Sequence, residues 1–347
     1  MPGKLTSTDL LSKAEILSIS KRIDFERYAK KHIVVTGASG LVGGYLTYAL
    51  IKCTAFLGAD APRVTAISKS GKFPFLKVLD MEPRLTFLCL DLEHEEIDFD
   101  FEILIHAASA ASPTIKASRE SIFNVNCNIL KNLGSNPGPI QEVLFISTGE
   151  VYGTDAPHKV TEDFTGRLDN QSYRANYPEA KLAGEKFTSS LSNVGIDGKI
   201  VRLFHSFGPG LRIDDGRSFA DFLWAASFGK LPILRSSGTQ VRSFLYLEDS
   251  IVGLLKVLDS DIASPVNVGS ENDLTILQFA SRVSSIAGLG GDVEFQINES
   301  ETVYSPNNLV LPSNELLRST GWDQQINIDL AIERTIHWIR NNNLPKV

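Results

Sequence analysis

Short runs of β-branched and other apolar residues recur along the chain from His32 onward and alternate with longer segments of helical periodicity. The runs are continuously apolar, which is typical of strands that are covered on both faces of a sheet. They predict strands over residues 32–36, 63–68, 85–90, 102–106, 142–147 and 199–204. Regular alternation of such strands with helices predicts an α/β fold built on a doubly wound parallel sheet.

The two ends of the chain depart from this alternation. Residues 8–30 have the apolar spacing of one amphipathic helix, with an apolar face of Leu10, Leu11, Ile16, Leu17 and Ile23. We therefore expect residues 1–30 to be an N-terminal helical extension that packs on the fold or joins subunits. Residues 31–206 would hold most of the sheet. The pattern becomes irregular afterwards, so we expect residues 207–347 to form mainly a smaller α/β substrate-binding portion, with some strands and helices returning to the sheet.

Composition and charge exclude several classes of function. With 347 residues, 43% hydrophobic and 22% charged, the chain is an ordinary globular protein with the length for a sizeable core. A net charge of -7 argues against a sequence-independent nucleic-acid binder, because such proteins need a basic surface. Cys53, Cys89 and Cys127 show neither metal-ligand nor disulfide spacing. The sequence also shows no secretory signal or membrane span, so we expect a cytoplasmic protein without a bound metal or a membrane partner.

A glycine-rich segment follows the first predicted strand directly and opens a predicted helix. Its glycines stand at a GxxGxxG spacing, which lets the backbone turn tightly and approach a pyrophosphate at the helix N-terminus. A glycine triplet alone would indicate only a tight turn, but here the strand, the helix and the position agree. We predict a Rossmann dinucleotide site whose phosphate-binding residues are Gly37, Ser39, Gly40, Leu41, Val42 and Gly43.

The residues after the next two strands bear on the choice of dinucleotide. In the usual NAD pattern, the second strand ends in an acidic residue that binds the ribose 2′-hydroxyl. Here Ser68 and Lys69, followed by Ser70, stand at this position, and a cation with hydroxyls would suit the 2′-phosphate of NADP. Alternatively, Lys69 is a solvated loop lysine without a role in binding, so the sequence does not decide between NAD and NADP as the cofactor. Asp91 and Leu92 follow the third strand, where we expect Asp91 to bind the adenine amino group.

Tyr177 and Lys181 are four residues apart in a helical segment and therefore share one helix face. A lysine ammonium beside a phenol lowers the phenol pKa, so Tyr177 would act as a base near neutral pH. Upstream, Ser147 and Thr148 end the fifth predicted strand, and Thr148 would hydrogen-bond the same substrate oxygen. We predict that Thr148, Tyr177 and Lys181 move a proton on or off a substrate hydroxyl. Ser147, Tyr177 and Lys181 would also contact the dinucleotide.

Four longer stretches resemble the extended short-chain dehydrogenase/reductases of the nucleotide-sugar epimerase/dehydratase family. Residues 106–113 resemble an HLASPASP stretch of its UDP-glucuronate decarboxylase (UDP-xylose synthase) branch, and residues 174–181 resemble RACYDEGK. Residues 208–217 resemble GPRM…NDGR, and residues 242–249 match an R-x-F-x-Y…D segment. The likeness runs from about Lys31 to the end of the chain and leaves only the N-terminal helix outside.

The resemblance implies a nucleoside-diphosphate sugar as substrate, a tightly bound NAD or NADP that is recycled, and a homodimer. Family enzymes oxidise the sugar at C4 to a transient 4-keto intermediate, and here Tyr177 would take the C4 hydroxyl proton. Further dinucleotide contacts are implied at Ala107, Ala108, Ser109 and Asn126. Substrate contacts are implied at Ser112, Arg174, His205, Arg212, Arg217 and Arg242.

The reaction that follows oxidation depends on the residues next to Thr148. Glu150 matches the glutamate that the family's decarboxylases and 4,6-dehydratases place beside C5, although it would alternatively cap the following loop. Gly149 replaces the aspartate that serves as the acid in dTDP-glucose dehydratases, which disfavours dehydration. The arginine that precedes a proline in the decarboxylases, and receives the substrate carboxylate, has no counterpart in residues 309–313, so Arg212 or Arg174 would have to take its place.

We therefore expect an enzyme most like a UDP-glucuronate decarboxylase, with Thr148, Glu150, Tyr177 and Lys181 as its catalytic residues. A 4,6-dehydratase, a 4-epimerase and a 4-ketoreductase are alternatives within the family. A non-catalytic NAD(P)-binding sensor is a more remote alternative, because such a protein has no reason to keep Thr148, Tyr177 and Lys181 together.

Overall fold

The computed structural model describes residues 9–109, 117–168, 175–297 and 310–342, and seven strands within them form a parallel sheet. The strands are β1 (His32–Thr36), β2 (Arg63–Ser68), β3 (Leu85–Cys89), β4 (Ile103–His106), β5 (Glu142–Thr148), β6 (Lys159–Val160), β7 (Asp197–Leu203), β8 (His205–Phe207), β9 (Ile233–Leu234), β10 (Val241–Arg242), β11 (Phe244–Tyr246), β12 (Val266–Val268), β13 (Leu274–Thr275), β14 (Glu294–Phe295) and β15 (Leu311–Pro312). The helices are α1 (Lys13–Arg22), α2 (Leu41–Cys53), α3 (Arg119–Ser135), α4 (Asn176–Ser190), α5 (Ser218–Ser227), α6 (Leu247–Leu258), α7 (Ile276–Ile286), α8 (Glu315–Arg318) and α9 (Ile328–Asn341).

The main sheet has the strand order β12–β7–β5–β4–β1–β2–β3, with all neighbours parallel. Both faces are covered. On β1, Ile33 and Val35 join the apolar cluster that includes α2 and α6, whereas Val34 joins a second cluster that includes α3. The predicted doubly wound parallel sheet is therefore confirmed. Its strand order reverses between β1 and β4, and ligands of such sheets bind at the carboxyl ends of the strands beside this switch point.

The observed strands lie close to the predicted ones. β1 and β2 have the predicted bounds, and β3 and β4 differ from prediction by one residue. β7 begins at Asp197, two residues before its apolar run, because Asp197 and Gly198 pair with Glu142 and Val143 of β5. β12 was missed: it has three residues, it comes from the region after Phe207, and it adds to the edge of the sheet beside β7.

The prediction of one helix over residues 8–30 was wrong. A capping box between Ser12 and Glu15 starts α1 only at Lys13, and Ile23 ends it in an extended conformation. Leu10 and Leu11 precede the helix yet are buried, whereas Leu17 is 56% exposed and does not belong to the apolar face. A separate short 3-10 helix follows at Phe25–Tyr28, capped by Asp24.

This N-terminal extension is tied to the rest of the fold by buried and half-buried polar contacts. Arg22 pairs with Asp249 of α6 at 2.8 Å, and Tyr28 donates a hydrogen bond of 2.5 Å to Asp259. Arg27 pairs with the same Asp259 and, at 2.5 Å, with Glu142 at the start of β5. The extension therefore packs against α6 and the sheet. None of the helices that the structure describes is long and apolar enough to cross a membrane.

Candidate active site

The turn from β1 into α2 has the shape that a pyrophosphate requires. Gly37 has φ +68°, and a Cβ there would lie 2.7 Å from the carbonyl carbon of Ala107. A Cβ on Gly43 would lie 2.5 Å from the Gly37 oxygen, so both positions require glycine. The N-cap residue of α2 is Gly40, which has no side chain to cap the helix, and this leaves the amide groups of the first turn for an anion. Ser39, Gly40, Leu41 and Val42 are all at least partly exposed there.

The end of β4 supplies the neighbouring wall. The Thr36 hydroxyl lies 2.7 Å from His106 Nδ1 and accepts a hydrogen bond from the Ala108 amide at 3.2 Å, which fixes Ala107 and Ala108 beside Gly37. Asn126 of α3 donates to Ser109 at 3.1 Å. Its buried Oδ1 has no hydrogen-bond partner among the described residues.

A buried acceptor without a partner is costly, and a ligand donor would remove that cost. This acceptor, together with the glycine turn and the uncapped helix N-terminus, fits a dinucleotide.

Beyond this wall, the ends of β2 and β3 form an ion-pair network. Lys69 Nζ lies 2.9 Å from Asp91 Oδ2 and 3.3 Å from Glu93 Oε2, and the Ser68 hydroxyl contacts that of Ser70 at 3.1 Å. Leu92 is buried, so its side chain packs in the core. Asp91 and Glu93 also bring carboxylate oxygens within 4.8 Å of a His94 nitrogen, but both carboxylates are already engaged by Lys69.

The predicted catalytic residues converge where β5 ends against α4. Lys181 Nζ donates a hydrogen bond of 2.6 Å to the Ile146 carbonyl and lies 5.9 Å from the centre of the Tyr177 ring. The Thr148 hydroxyl is hydrogen-bonded to Tyr177 and also accepts from the Glu150 amide at 3.3 Å. Glu150 is exposed and acts electrostatically on Tyr177. Strand β5 and helix α4 thus bring together Thr148, Glu150, Tyr177 and Lys181.

Burial dominates the electrostatics of this pair. It raises the pKa of Tyr177 above its ordinary value, and Glu150 raises it further, while the Thr148 hydrogen bond and Arg217 lower it. Burial also lowers the pKa of Lys181 to about 7. We expected Lys181 to lower the pKa of Tyr177, but Lys181 is not among the groups that shift this pKa. The Lys181 ammonium is itself desolvated and is directed to the Ile146 carbonyl.

Gly149 occupies a place that admits no side chain. A Cβ on this residue would lie 2.8 Å from two atoms of the Phe204 ring. The short 3-10 helix Gly149–Tyr152 is capped by the Thr148 side chain, so Glu150 is not needed as the cap of this loop. Phe204 was not predicted as a site residue. Its signal was only its position directly after a strand that neighbours β5 in the sheet.

On the substrate side, the structure groups three of the predicted residues. Burial, together with Arg242 and Arg217, lowers the pKa of His205 to about 3, so its imidazole is neutral. Arg242 interacts electrostatically with Glu150, and Arg217 with Tyr177. The Arg212 guanidinium pairs with Asp214 at 2.6 Å in the loop before α5 and is 45% exposed. Predicted contacts Ser112 and Arg174 lie outside the described residues.

A buried network behind β5 went unnoticed in the sequence. Ser147, expected to contact the dinucleotide, donates a hydrogen bond of 2.6 Å to Glu185. Arg202 of β7 donates to both oxygens of the same carboxylate, at 3.1 and 2.8 Å. Two signals pointed to it: Glu185 lies four residues after Lys181 on α4, and Arg202 is a charged residue within an apolar strand.

A parallel sheet with a glycine turn at its switch point, and with Tyr177 and Lys181 beside the end of β5, is typical of a dinucleotide-dependent enzyme. The sequence comparison is consistent with this class, because residues 33–269 match the NAD dependent epimerase/dehydratase family. The chain belongs to this family, and the predicted resemblance is confirmed.

Curated relatives include UDP-glucuronic acid decarboxylases. The decarboxylase 1 of Xenopus tropicalis is 27% identical over 323 residues, which cover 90% of this chain and 72% of that protein. The decarboxylase 6 of Arabidopsis thaliana is 28% identical over 306 residues, which cover 85% of each chain.

Solved structures with the same fold include two 4-epimerases. A UDP-N-acetylglucosamine 4-epimerase from Methanobrevibacter ruminantium has a TM-score of 0.76 at 22% identity, covering 90% of this chain and 98% of that one. A UDP-glucuronic acid 4-epimerase from Bacillus cereus, in complex with UDP-glucuronic acid and NAD, has a TM-score of 0.73 at 21% identity, covering 89% and 98%.

Proposed function

We propose that the chain removes the C6 carboxylate of a UDP-linked uronic acid after transient oxidation of the sugar at C4. The observation that carries this proposal is that Thr148, Glu150 and Tyr177 lie around Gly149. The Phe204 ring leaves no room for a side chain at Gly149. Gly149 offers no acid to expel a C6 hydroxyl, so water elimination is disfavoured. The similarity to UDP-glucuronic acid decarboxylases supports the same choice.

In the first step, Tyr177 accepts the proton of the C4 hydroxyl while Thr148 donates a hydrogen bond to the same oxygen. The dinucleotide, when bound, supplies the acceptor for the C4 hydride. Tyr177 accepts this proton as a phenolate, and Lys181 keeps a positive charge close to that phenolate, because its Nζ lies 5.9 Å from the centre of the Tyr177 ring. Its hydrogen bond to the Ile146 carbonyl fixes that position.

In the second step, the oxidised sugar is a β-keto acid because its C6 is a carboxylate. Loss of CO2 breaks the C5–C6 bond and leaves the electron pair as an enolate across C5, C4 and O4. Hydrogen bonds from Thr148 and the protonated Tyr177 to O4 stabilise this charge. Glu150, which is exposed, would then pass a proton from solvent to C5. Once the C4 hydride is restored, Tyr177 would return its proton to O4, and the product would be a UDP-linked pentose.

The carboxylate also needs a cation at the mouth of the site. Leu311 and Pro312 pair with β6, and Leu311 is buried, so this segment offers no positive charge. We assign the role to Arg217, which acts electrostatically on Tyr177 and whose guanidinium lies 4.9 Å over the Phe219 ring. Arg217 pairs with Asp215 at 2.5 Å, and the substrate carboxylate would replace Asp215 as the partner of the guanidinium.

The lack of a cation at Leu311 and Pro312 also favours a second candidate, a 4-epimerase that turns the 4-keto sugar over without losing CO2. Mass spectrometry separates the two after incubation with UDP-glucuronate, UDP-glucose, UDP-N-acetylglucosamine and their dTDP, GDP and CDP analogues. Loss of CO2 from UDP-glucuronate, with no change in the mass of the other nucleotide sugars, would support the proposal. An isomer of unchanged mass would identify the epimerase, and loss of water would overturn the argument from Gly149. Tyr177→Phe should abolish turnover of every substrate.

A further inference from the structure

At the predicted adenosine end of the dinucleotide site, a lysine that would favour a phosphate is paired with two carboxylates that would repel one. A cation after the second strand of such a sheet ordinarily accommodates the 2′-phosphate of NADP, and Lys69 stands there. The structure shows, however, that its ammonium is held by two carboxylates, with Nζ 2.9 Å from Asp91 Oδ2 and 3.3 Å from Glu93 Oε2. One ammonium against two carboxylates leaves an excess negative charge.

The two carboxylates are fixed in place. Ser121 at the start of α3 donates a hydrogen bond of 2.8 Å to Glu93 Oε2, and Asn128 donates one of 3.1 Å to the Glu93 carbonyl. The Glu93 amide in turn donates to Asp91 Oδ1 at 3.1 Å. The Glu93 side chain is only 13% exposed, whereas that of Lys69 is 61% exposed. Asp91 and Glu93 are therefore held in place by hydrogen bonds, and together with Lys69 they line this part of the site.

Both acids are charged at neutral pH. The Ser121 hydrogen bond and Lys69 lower the pKa of Glu93 against its desolvation. Desolvation raises the pKa of Asp91, but the hydrogen bonds from Lys69 and from the Glu93 amide, together with the charge of Lys69, outweigh it, and the net change in the pKa is a lowering. A 2′-phosphate carries roughly two negative charges at this pH and would be repelled by the two carboxylates, whereas a ribose hydroxyl would accept a hydrogen bond from the Lys69 ammonium.

We infer that Glu93 is a specificity-determining residue for the dinucleotide: with Asp91 it holds Lys69 and selects NAD over NADP. This goes beyond the proposed function and holds whichever reaction follows oxidation at C4. The description of the family as NAD dependent agrees with it but assigns no role to Glu93. Ser68 and Ser70 would then face a ribose that carries two free hydroxyls.

The test is the binding of NADH and NADPH to protein freed of endogenous dinucleotide, followed by fluorescence and by calorimetry. Wild type should bind NADH at least about tenfold more tightly than NADPH, because an anchored carboxylate repels a phosphate. Glu93→Gln should tighten NADPH binding by about tenfold and leave NADH binding nearly unchanged, since one opposing charge is removed. The double variant Glu93→Gln/Lys69→Met should lose the tighter NADPH binding of Glu93→Gln. In the single variant the Lys69 ammonium, released from Glu93, would bind the 2′-phosphate.

Glu96→Gln is the matched control. It removes a charge from the same segment, but Glu96 accepts its hydrogen bond from Asn132 at 2.8 Å, whereas the ion pairs of Lys69 among the described residues are with Asp91 and Glu93. It should leave the NADH to NADPH ratio as in wild type. The inference is overturned if wild type binds NADPH as tightly as NADH, a result that does not depend on any variant folding. It is equally overturned if Glu93→Gln leaves the ratio unchanged.

Discussion

Replacing Gly149 by alanine tests the packing argument on which the choice of reaction depends. The added Cβ would lie 2.8 Å from the Phe204 ring, well inside van der Waals contact. Gly149 does not have the positive φ that would itself disfavour a side chain, so the clash is the only cost expected. Phe204 in turn stacks on Tyr152 with ring centres 6.4 Å apart, which limits how far it can move away.

Overpacking of this kind costs about 1–3 kcal/mol in the free energy of unfolding. Phe204→Leu removes the atoms that the new methyl meets, so the double variant Gly149→Ala/Phe204→Leu should recover part of the loss. The two substitutions should therefore be non-additive by at least about 0.5 kcal/mol. Enzyme turnover should fall with Gly149→Ala as well, because Thr148 and Glu150 on either side of it would be displaced.

Urea unfolding of the wild type, both single variants and the double variant measures this coupling. Gly134→Ala is the control, because a Cβ on this helical glycine of α3 would meet no atom within 4 Å. That variant should be as stable as wild type or slightly more stable. A Gly149→Ala protein with wild-type stability and turnover, or strictly additive effects with Phe204→Leu, would refute the reasoning.

Three further outcomes follow from the charged residues in and behind the candidate site. Because the pKa of Lys181 is lowered to about 7 from an ordinary 10.5, the unfolded chain holds more protons between these values and stability gains with rising pH. The stability advantage of Lys181→Met over wild type should thus shrink from pH 7 to about pH 10 in urea unfolding, and a constant advantage would contradict the lowered pKa. Glu185→Gln leaves the Arg202 guanidinium buried without its partner and should cost about 3–5 kcal/mol of unfolding free energy, whereas a loss under about 1 kcal/mol would show that the pair contributes little. Arg217→Met should weaken binding of UDP-glucuronate about tenfold or more relative to UDP-glucose in calorimetry, and an equal loss for both would assign Arg217 to the diphosphate.

The main sheet could be predicted from the sequence because its strands are covered on both faces and so are apolar without interruption. β1 and β2 follow directly from such runs. β12 could not be found in this way, since three residues carry too little pattern and their partner β7 is far away in the chain. The N-terminal helix was predicted too long because apolar periodicity continues through Ser12, whereas the capping box decides where the helix begins.

The candidate site divides in the same manner. Tyr177 and Lys181 could be grouped because their spacing on one helix is local, and Thr148 could be added because it ends the predicted strand that precedes this helix. The charge around Lys69 could not be foreseen, since Asp91 and Glu93 come from the end of another strand. Contacts between neighbouring strands and across the core depend on register, which single-sequence patterns leave undetermined.

The N-terminal extension has a consequence for how the chain is made. Trp338 donates a hydrogen bond of 3.1 Å to the Asp9 carbonyl, across 329 positions of sequence, and Arg22 reaches Asp249 across 227. The ribosome releases the extension well before Asp249 and Trp338, so the extension lacks these partners during much of vectorial synthesis, although Cys53 and Glu142 are made earlier. Contacts of such long separation also slow folding. A fragment that stops at residue 206 would therefore lack both β12 and Asp249, the partner of Arg22, and we expect it to need chaperones rather than fold alone.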